Sequence, residues 1–268
     1  MTKPQAFFSW MGSERSYQNE TNIEHYGPFC VGRFGGSTIM NSIGNEDALL
    51  IGYDPKGRWE LAAIIDAHQT NQSAEIIINT LKENSKEIQC LLHFPDYNIY
   101  KKLTDLFVSL FSSDGFLLRC QEIQGEASCL IAIRRDQYVW WFSVGDCMLF
   151  LLHEDFKKFD QAMLNQRNFF EWIGRVNTFS LSVPCYSSGV RELRKGQNDI
   201  LLITDGFLDL DHSPFKSAAE IYQLFYMKDK KEALYKVLSN LNRNQIKDSA
   251  TAISWEYINH FTGRMPSN

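Results

Sequence analysis

Residues 128–133 and 138–144 are nearly continuously apolar, and Arg135-Asp136-Gln137 between them reads as a turn. A strand with one wet face alternates apolar and polar side chains, so an unbroken apolar run implies a strand covered on both faces. Such strands belong inside a stack of layers. Other runs share the β character: 48–53, 59–65, 148–152, 200–204 and 250–255. Asp54-Pro55-Lys56-Gly57 supplies a hairpin turn between the first two. Gly145-Asp146 supplies another, so 128–152 reads as a three-stranded meander.

Helical spacing is confined to the segments between these strands. Ala74, Ile77, Ile78 and Leu81 share one face of 73–82, and Leu103, Leu106, Phe107 and Leu110 share one face of 99–111. Residues 156–172 are predicted helical, and 218–241 carries one or two amphipathic helices. The chain up to Tyr26 is polar with isolated aromatics and no periodicity, and Gly32 to Gly36 reads as a glycine-rich turn. Strands in hairpin order with helices inserted between them argue against βαβ alternation and for an α+β fold, antiparallel sheets stacked with helices outside. At 268 residues the chain suits one domain, 1–268, with a core over about 28–258.

Composition narrows the partners. Apolar residues make up 44% and charged residues 22%, as in ordinary globular proteins, and the net charge of -5 comes without any Lys/Arg run. Nucleic acid is therefore not an expected partner. No apolar segment is long enough to span a bilayer, and the Phe7-Phe8-Ser9-Trp10 stretch is too brief for a signal peptide. Cys30, Cys90, Cys120, Cys129, Cys147 and Cys185 are scattered, with no zinc spacing, and read as buried thiols of a reducing compartment. A cytoplasmic location without membrane contact is expected.

The acidic residues carry the chemistry. Asp66, Asp146 and Asp205 end β-like runs, while Glu46-Asp47 and Asp248 stand just before such runs. One Asp at a strand end usually caps a turn. Several that converge cannot all stay ionised in isolation, because two carboxylates about 4 Å apart repel by roughly 4 kcal/mol at an effective dielectric near 20. They must take up protons or hold cations, and oxygen-only donors favour Mg²⁺ or Mn²⁺ over zinc. Spacing alone does not establish convergence.

The series Asn45-Glu46-Asp47-Ala48, Asp66-Ala67-His68, Gly145-Asp146, Thr204-Asp205-Gly206-Phe207 and Lys247-Asp248-Ser249-Ala250-Thr251 resembles, in order, the motifs of the metal-dependent Ser/Thr protein phosphatases of type 2C, the PPM family. Gly125-Glu126-Ala127-Ser128 resembles the segment ahead of that family's central hairpin, and the match runs from about Gly35 to Trp255. The resemblance implies a four-layer α-β-β-α sandwich of two antiparallel sheets with flanking helices. It also implies a protein-serine/threonine phosphatase, a phosphoric monoester hydrolase acting on phosphorylated protein. By the same resemblance Asp66 bridges two Mn²⁺ or Mg²⁺ ions, Asp205 and Asp248 complete the first, and the Ala67 carbonyl joins the second. Glu46 and Asp47 bind directly or through water, and Asp146 helps Asp205 hold a third, looser ion. A water between the ions attacks phosphorus in line, and His68 protonates the departing oxygen.

The chain also departs from the family. Ala67 and Gln69-Thr70 stand where glycines are usual, so those side chains are expected to narrow the metal pocket, and Ser249 replaces an Asn. Ser42 falls where the phosphate-gripping Arg belongs, which removes a bidentate donor; Arg33 is the nearest substitute upstream. These losses leave open an alternative, a catalytically weak or inactive domain that binds phosphoproteins as a regulatory module. Trp140-Trp141 reads as core, whereas Phe169-Phe170-Glu171-Trp172 falls in the family's variable flap.

Overall fold

The computed structural model describes residues 7–95 and 98–263. In chain order the first elements are β1 (Phe7–Met11), β2 (Thr21–Tyr26), β3 (Phe29–Phe34), β4 (Ala48–Tyr53) and β5 (Trp59–His68). Four helices follow: α1 (Gln72–Glu83), α2 (Ser85–His93), α3 (Ile99–Phe111) and α4 (Asp114–Glu122). Then come β6 (Glu126–Arg135), β7 (Tyr138–Val144), β8 (Met148–Leu152), α5 (Glu154–Lys157), β9 (Ile173–Gly174), β10 (Ser187–Glu192) and β11 (Gly196–Ile203). The last are α6 (Ala218–Phe225), α7 (Lys230–Arg243) and β12 (Ala250–Asn259).

The strands form two antiparallel sheets. One has the order β1-β4-β5-β6-β7-β10 with β9 also paired to β6, and the other has the order β2-β3-β12-β11-β8. The period of two along each strand sorts side chains between layers. Along β5, Leu61, Ala63 and Ile65 pack with Ile77, Leu81, Leu103 and Phe107 of the helices, whereas Ala62 and Ile64 pack with Leu149, Leu202 and Ile253 of the facing sheet. In β11, Leu201 and Ile203 meet Leu234 and Leu238 of α7, while Ile200 and Leu202 turn to the other sheet. Both faces are dry, which is why the runs show so little alternation. The result is an α+β sandwich of four layers, helix–sheet–sheet–helix.

The expected meander over 128–152 is not formed. β6 and β7 are a hairpin, but β8 pairs with β11 in the second sheet. The chain crosses between sheets at Gly145-Asp146-Cys147. Gly145 has φ of +85°, and a Cβ there would lie 2.2 Å from the Ser128 Oγ, so this crossing requires glycine. The helix expected over 156–172 is also absent beyond the single turn of α5. The segment instead runs beside β8, with Leu151 N–H donating to the Ala162 carbonyl and Leu164 N–H to the Leu149 carbonyl, both at 2.8 Å.

Three smaller differences have physical causes. The aperiodic N-terminal stretch forms β1 and β2, held by pairing with β4 and β3 rather than by an apolar pattern of their own. Gly32 lies inside β3 rather than in a turn, and its missing Cβ admits α7, whose Leu238 Cδ1 would stand 2.8 Å away. Cys90 and Cys185 are exposed, so only four of the six thiols are buried. Among the described residues no helix is long and apolar enough to cross a membrane.

Candidate active site

Strand register brings the acids to one edge of the sandwich. β4 pairs Ala48 with Ile65 of β5, so Asp47 stands across from Asp66. Asp66 lies within β5, which continues to His68, and not at its end. In the other sheet β11 pairs Ile203 with Ala252 of β12, and Thr204 N–H donates to the Thr251 carbonyl at 3.1 Å. Asp205 follows at once. Gly206 approaches so closely that a Cβ would lie 1.9 Å from the Ser249 carbonyl oxygen. Two hydroxyls of this second sheet bind the acid of the first. Ser249 Oγ donates to Asp47 Oδ1 at 3.0 Å, and Thr204 Oγ1 to Asp47 Oδ2 at 3.4 Å.

The electrostatics record the convergence. Burial pushes Asp66 well above the usual carboxylate range, and the charges of Asp47, Asp205 and Asp248 push the same way. Asp47 is raised to about 7, chiefly by burial and further by Asp248 and Asp205, against hydrogen bonding from the Thr251 and Ser249 hydroxyls. Asp248 stands at the rim with its carboxyl raised to about 7 by desolvation, then by Asp205 and Asp209. Asp205 is raised by burial and by Asp146, against hydrogen bonding with Asp66 and the charges of Arg167 and His68. Burial raises Glu46, and His68 and Lys247 oppose the shift. Glu46, Asp47, Asp66, Asp205 and Asp248 therefore share one electrostatic environment with His68. Cys147, buried beside them, has its thiol pushed far up by burial and by the charges of Asp66, Asp146, Asp205 and Asp47, which disfavours a thiolate there.

Asp146 is held from two sides. Ser128 Oγ donates to its Oδ1 at 2.7 Å, and Arg167 Nη2 donates to its Oδ2 at 3.0 Å. The same Nη2 lies 3.4 Å from Asp205 Oδ2. Ala67 sits in the strand, 2% exposed, with an ordinary backbone. The left-handed residue of this turn is Gln69, φ +71°, a strained conformation for a residue with a side chain. Gln69 does line the cleft, as expected, but Thr70 does not: its hydroxyl donates to the Gln124 carbonyl at 2.6 Å and ties the turn to β6. His68 is half-buried, and Trp172 stands edge-on to its ring with centroids 4.9 Å apart.

Beside the acids lies a cleft of about 440 Å³ that includes Ser42, Ile43, Glu46, Gln69, Lys247 and Asp248. A larger groove of about 640 Å³ near α6 and α7 shares no residue with it. Ser42 Oγ is spent on the Gly35 and Gly44 carbonyls, at 3.0 and 3.3 Å. Arg33 does not replace the missing guanidinium. It is 1% exposed, bonded to Tyr17, Tyr26 and Glu24 and enclosed by Trp10, and it lines no part of the cleft. Trp140 is buried in the core and Trp141 half-buried, whereas Phe169 and Phe170 are 57% and 90% exposed.

These residues suit a hard divalent cation. Every side-chain donor is a carboxylate oxygen, and Asp205 Oδ1 is buried with no hydrogen-bond partner, an acceptor that an ion would satisfy. Among the described residues no three His, Cys, Asp or Glu side chains close on one point as a preformed cage. Sequence reasoning missed Arg167, which carries no spacing signal and lay in a segment read as helix; Ser128, Thr204 and Trp172 stood within the quoted motifs and flap but without an assigned role.

A four-layer sandwich of two antiparallel sheets with acids gathered at one edge is the fold of the type 2C serine/threonine phosphatases. Serine/threonine phosphatase Stp1 from Staphylococcus aureus superposes with a TM-score of 0.60 at 14% identity, covering 94% of this chain and 93% of that one. RsbX in complex with magnesium gives 0.55 at 12% identity, over 88% of this chain and 100% of its own. PppA, described as a key regulatory component of T6SS in Pseudomonas aeruginosa, gives 0.57 at 14%, over 88% and 100%. No family profile and no curated protein sequence matches the chain. At these identities the likeness is one of fold.

Proposed function

We propose that the chain, as one domain over residues 1–268, is a Mn²⁺- or Mg²⁺-dependent phosphoprotein phosphatase of the cytoplasm that hydrolyses phosphoserine and phosphothreonine. The observation that carries this reading is the convergence of Asp47, Asp66, Asp205 and Asp248 from both sheets: Asp47, Asp66 and Asp248 are each raised by desolvation and by other acids of the set, and Asp205 by desolvation and by Asp146. A fold maintains such mutual repulsion at a cost in stability, and a bound dication relieves it. Among the solved structures of the same fold, Stp1 is a serine/threonine phosphatase and RsbX was solved with magnesium, which supports the same reaction class.

Asp66, Asp205, Asp248 and the Ala67 carbonyl would hold the ions, with Glu46 and Asp47 acting directly or through water. Bound divalent ions supply Lewis acidity that acidifies water and neutralises phosphoryl charge. The protein's own groups do the rest. His68, steadied by Trp172, donates its proton to the leaving serine or threonine oxygen. Ser249 and Thr204 fix both oxygens of Asp47. With Ser42 turned to backbone carbonyls, the remaining basic side chain of the cleft is Lys247, so the grip on phosphate is weak and a high KM is expected. The binding-only alternative rests on that weak grip and on the altered turn at Ala67 and Gln69-Thr70.

The test is hydrolysis of a phosphoserine peptide at saturating Mn²⁺ by wild type, Asp66→Ala and Asp205→Ala. Wild type should turn over and each variant should lose at least about 10²-fold. An inert wild type, or variants as active as wild type, would sink the proposal.

A further inference from the structure

Arg167 is the one guanidinium among the described residues that touches the acid cluster. Its Nη2 bridges two carboxylates from different sheets, Asp146 Oδ2 at 3.0 Å and Asp205 Oδ2 at 3.4 Å. Both oxygens of Asp146 are thereby taken, since Ser128 holds the other at 2.7 Å. A hydrated dication binds carboxylate oxygen at about 2.1 Å. A dication shared by the same two oxygens would compete with Nη2 for both acceptors and carry like charge beside it, so the guanidinium and the ion oppose each other there.

Arg167 is also fixed in place. Asn165, 4% exposed, accepts from Leu149 N–H at 2.8 Å and donates to the Cys147 carbonyl at 2.8 Å, while Asn168 N–H donates to the Gly145 carbonyl at 2.9 Å. These bonds lash the Arg167 segment across the sheet-to-sheet crossing that carries Asp146. Phe169 covers the guanidinium from 4.8 Å. The Arg167 Nε is buried without a partner, while the side chain as a whole stays 25% exposed.

On the reading of this edge as a divalent-metal site, we infer that Arg167 is a built-in cation that fills the position between Asp146 and Asp205 and restricts the site to two divalent ions. The third, looser ion implied by the resemblance is then replaced by a side chain. Arg167 is a positioning residue. It pairs with Asp146 and one oxygen of Asp205, while Asp205 Oδ1 is left without a hydrogen-bond partner.

The test is Mn²⁺ stoichiometry on the full chain, by titration calorimetry and by the electron-spin signal of free Mn²⁺. Wild type should bind two ions. Arg167→Ala should bind one more, at least tenfold weaker, and Arg167→Ala combined with Asp146→Asn should lose it again. Arg167→Gln keeps a planar hydrogen-bonding group without charge and must show the same gain, with circular dichroism confirming that each variant is folded. Three ions on wild type, or two on both folded Arg167 variants, would overturn the inference while leaving the metal site standing. No ion on wild type would overturn both.

Discussion

Asp47→Asn separates the cost of the acid cluster from its use. Asp47 is 1% exposed, and its carboxyl lies at about 7 against an ordinary 3.8. The folded state therefore holds a proton that the unfolded chain has released, and the sign follows from linkage. Stability is fully present below the ordinary value and is lost as pH rises through about 7. Between pH 5 and pH 8 about two units of the shift act, at about 1.4 kcal/mol each. Asp66, Asp205 and Asp248 share these protons, so the fall assignable to Asp47 is about 2–3 kcal/mol. Unfolding entropy near 2.1 cal/mol/K per residue makes that roughly 4–5 °C for a chain of this length. Asparagine has no charge to bury, and the Ser249 and Thr204 hydroxyls can rotate to keep their bonds. In chelator, the melting temperature of Asp47→Asn relative to wild type should rise by roughly 4–5 °C from pH 5 to pH 8. Adding Mn²⁺ at about 100 times its Kd should stabilise wild type by about 2.7 kcal/mol and the variant by less, reversing the order. A difference that stays constant from pH 5 to pH 8 would refute the claim that Asp47 is ionised at a cost within a shared cluster.

Two further outcomes check the surroundings of the acids. His68→Asn should lower kcat on phosphoserine peptide by about 10² or more but on an aryl phosphate by only a few-fold, because an aryloxide leaves without a proton; equal losses on both substrates would remove His68 as the acid. Gln69→Gly should raise stability in urea by about 1 kcal/mol by relieving the left-handed backbone, and a loss of stability would show that the Gln69 side chain earns its place in the cleft.

Much of the scaffold was legible in the sequence. Ala48–Tyr53, Tyr138–Val144, Met148–Leu152 and Ile99–Phe111 form as read, because burial on two faces or on one helical stripe leaves its mark on every residue of the element. Asp66, Asp205 and Asp248 could be picked out because each adjoins such a run. Their convergence could not, because it depends on which strand lies beside which. β8 leaves β7 for β11, and that crossing carries Asp146 toward Asp205. The stretches that fell outside the sequence reading take their shape from tertiary partners. β1 and β2 borrow neighbouring ladders, and 158–172 is held by Asn165 and by β8 instead of by its own helix. Arg167 is the sharpest case. By sequence it is one cation in a segment with no distinctive pattern, and only the fold sets it between two acids that lie 21 and 38 residues away along the chain. Local pattern determined the elements and the kinds of chemistry available; packing decided which charges meet.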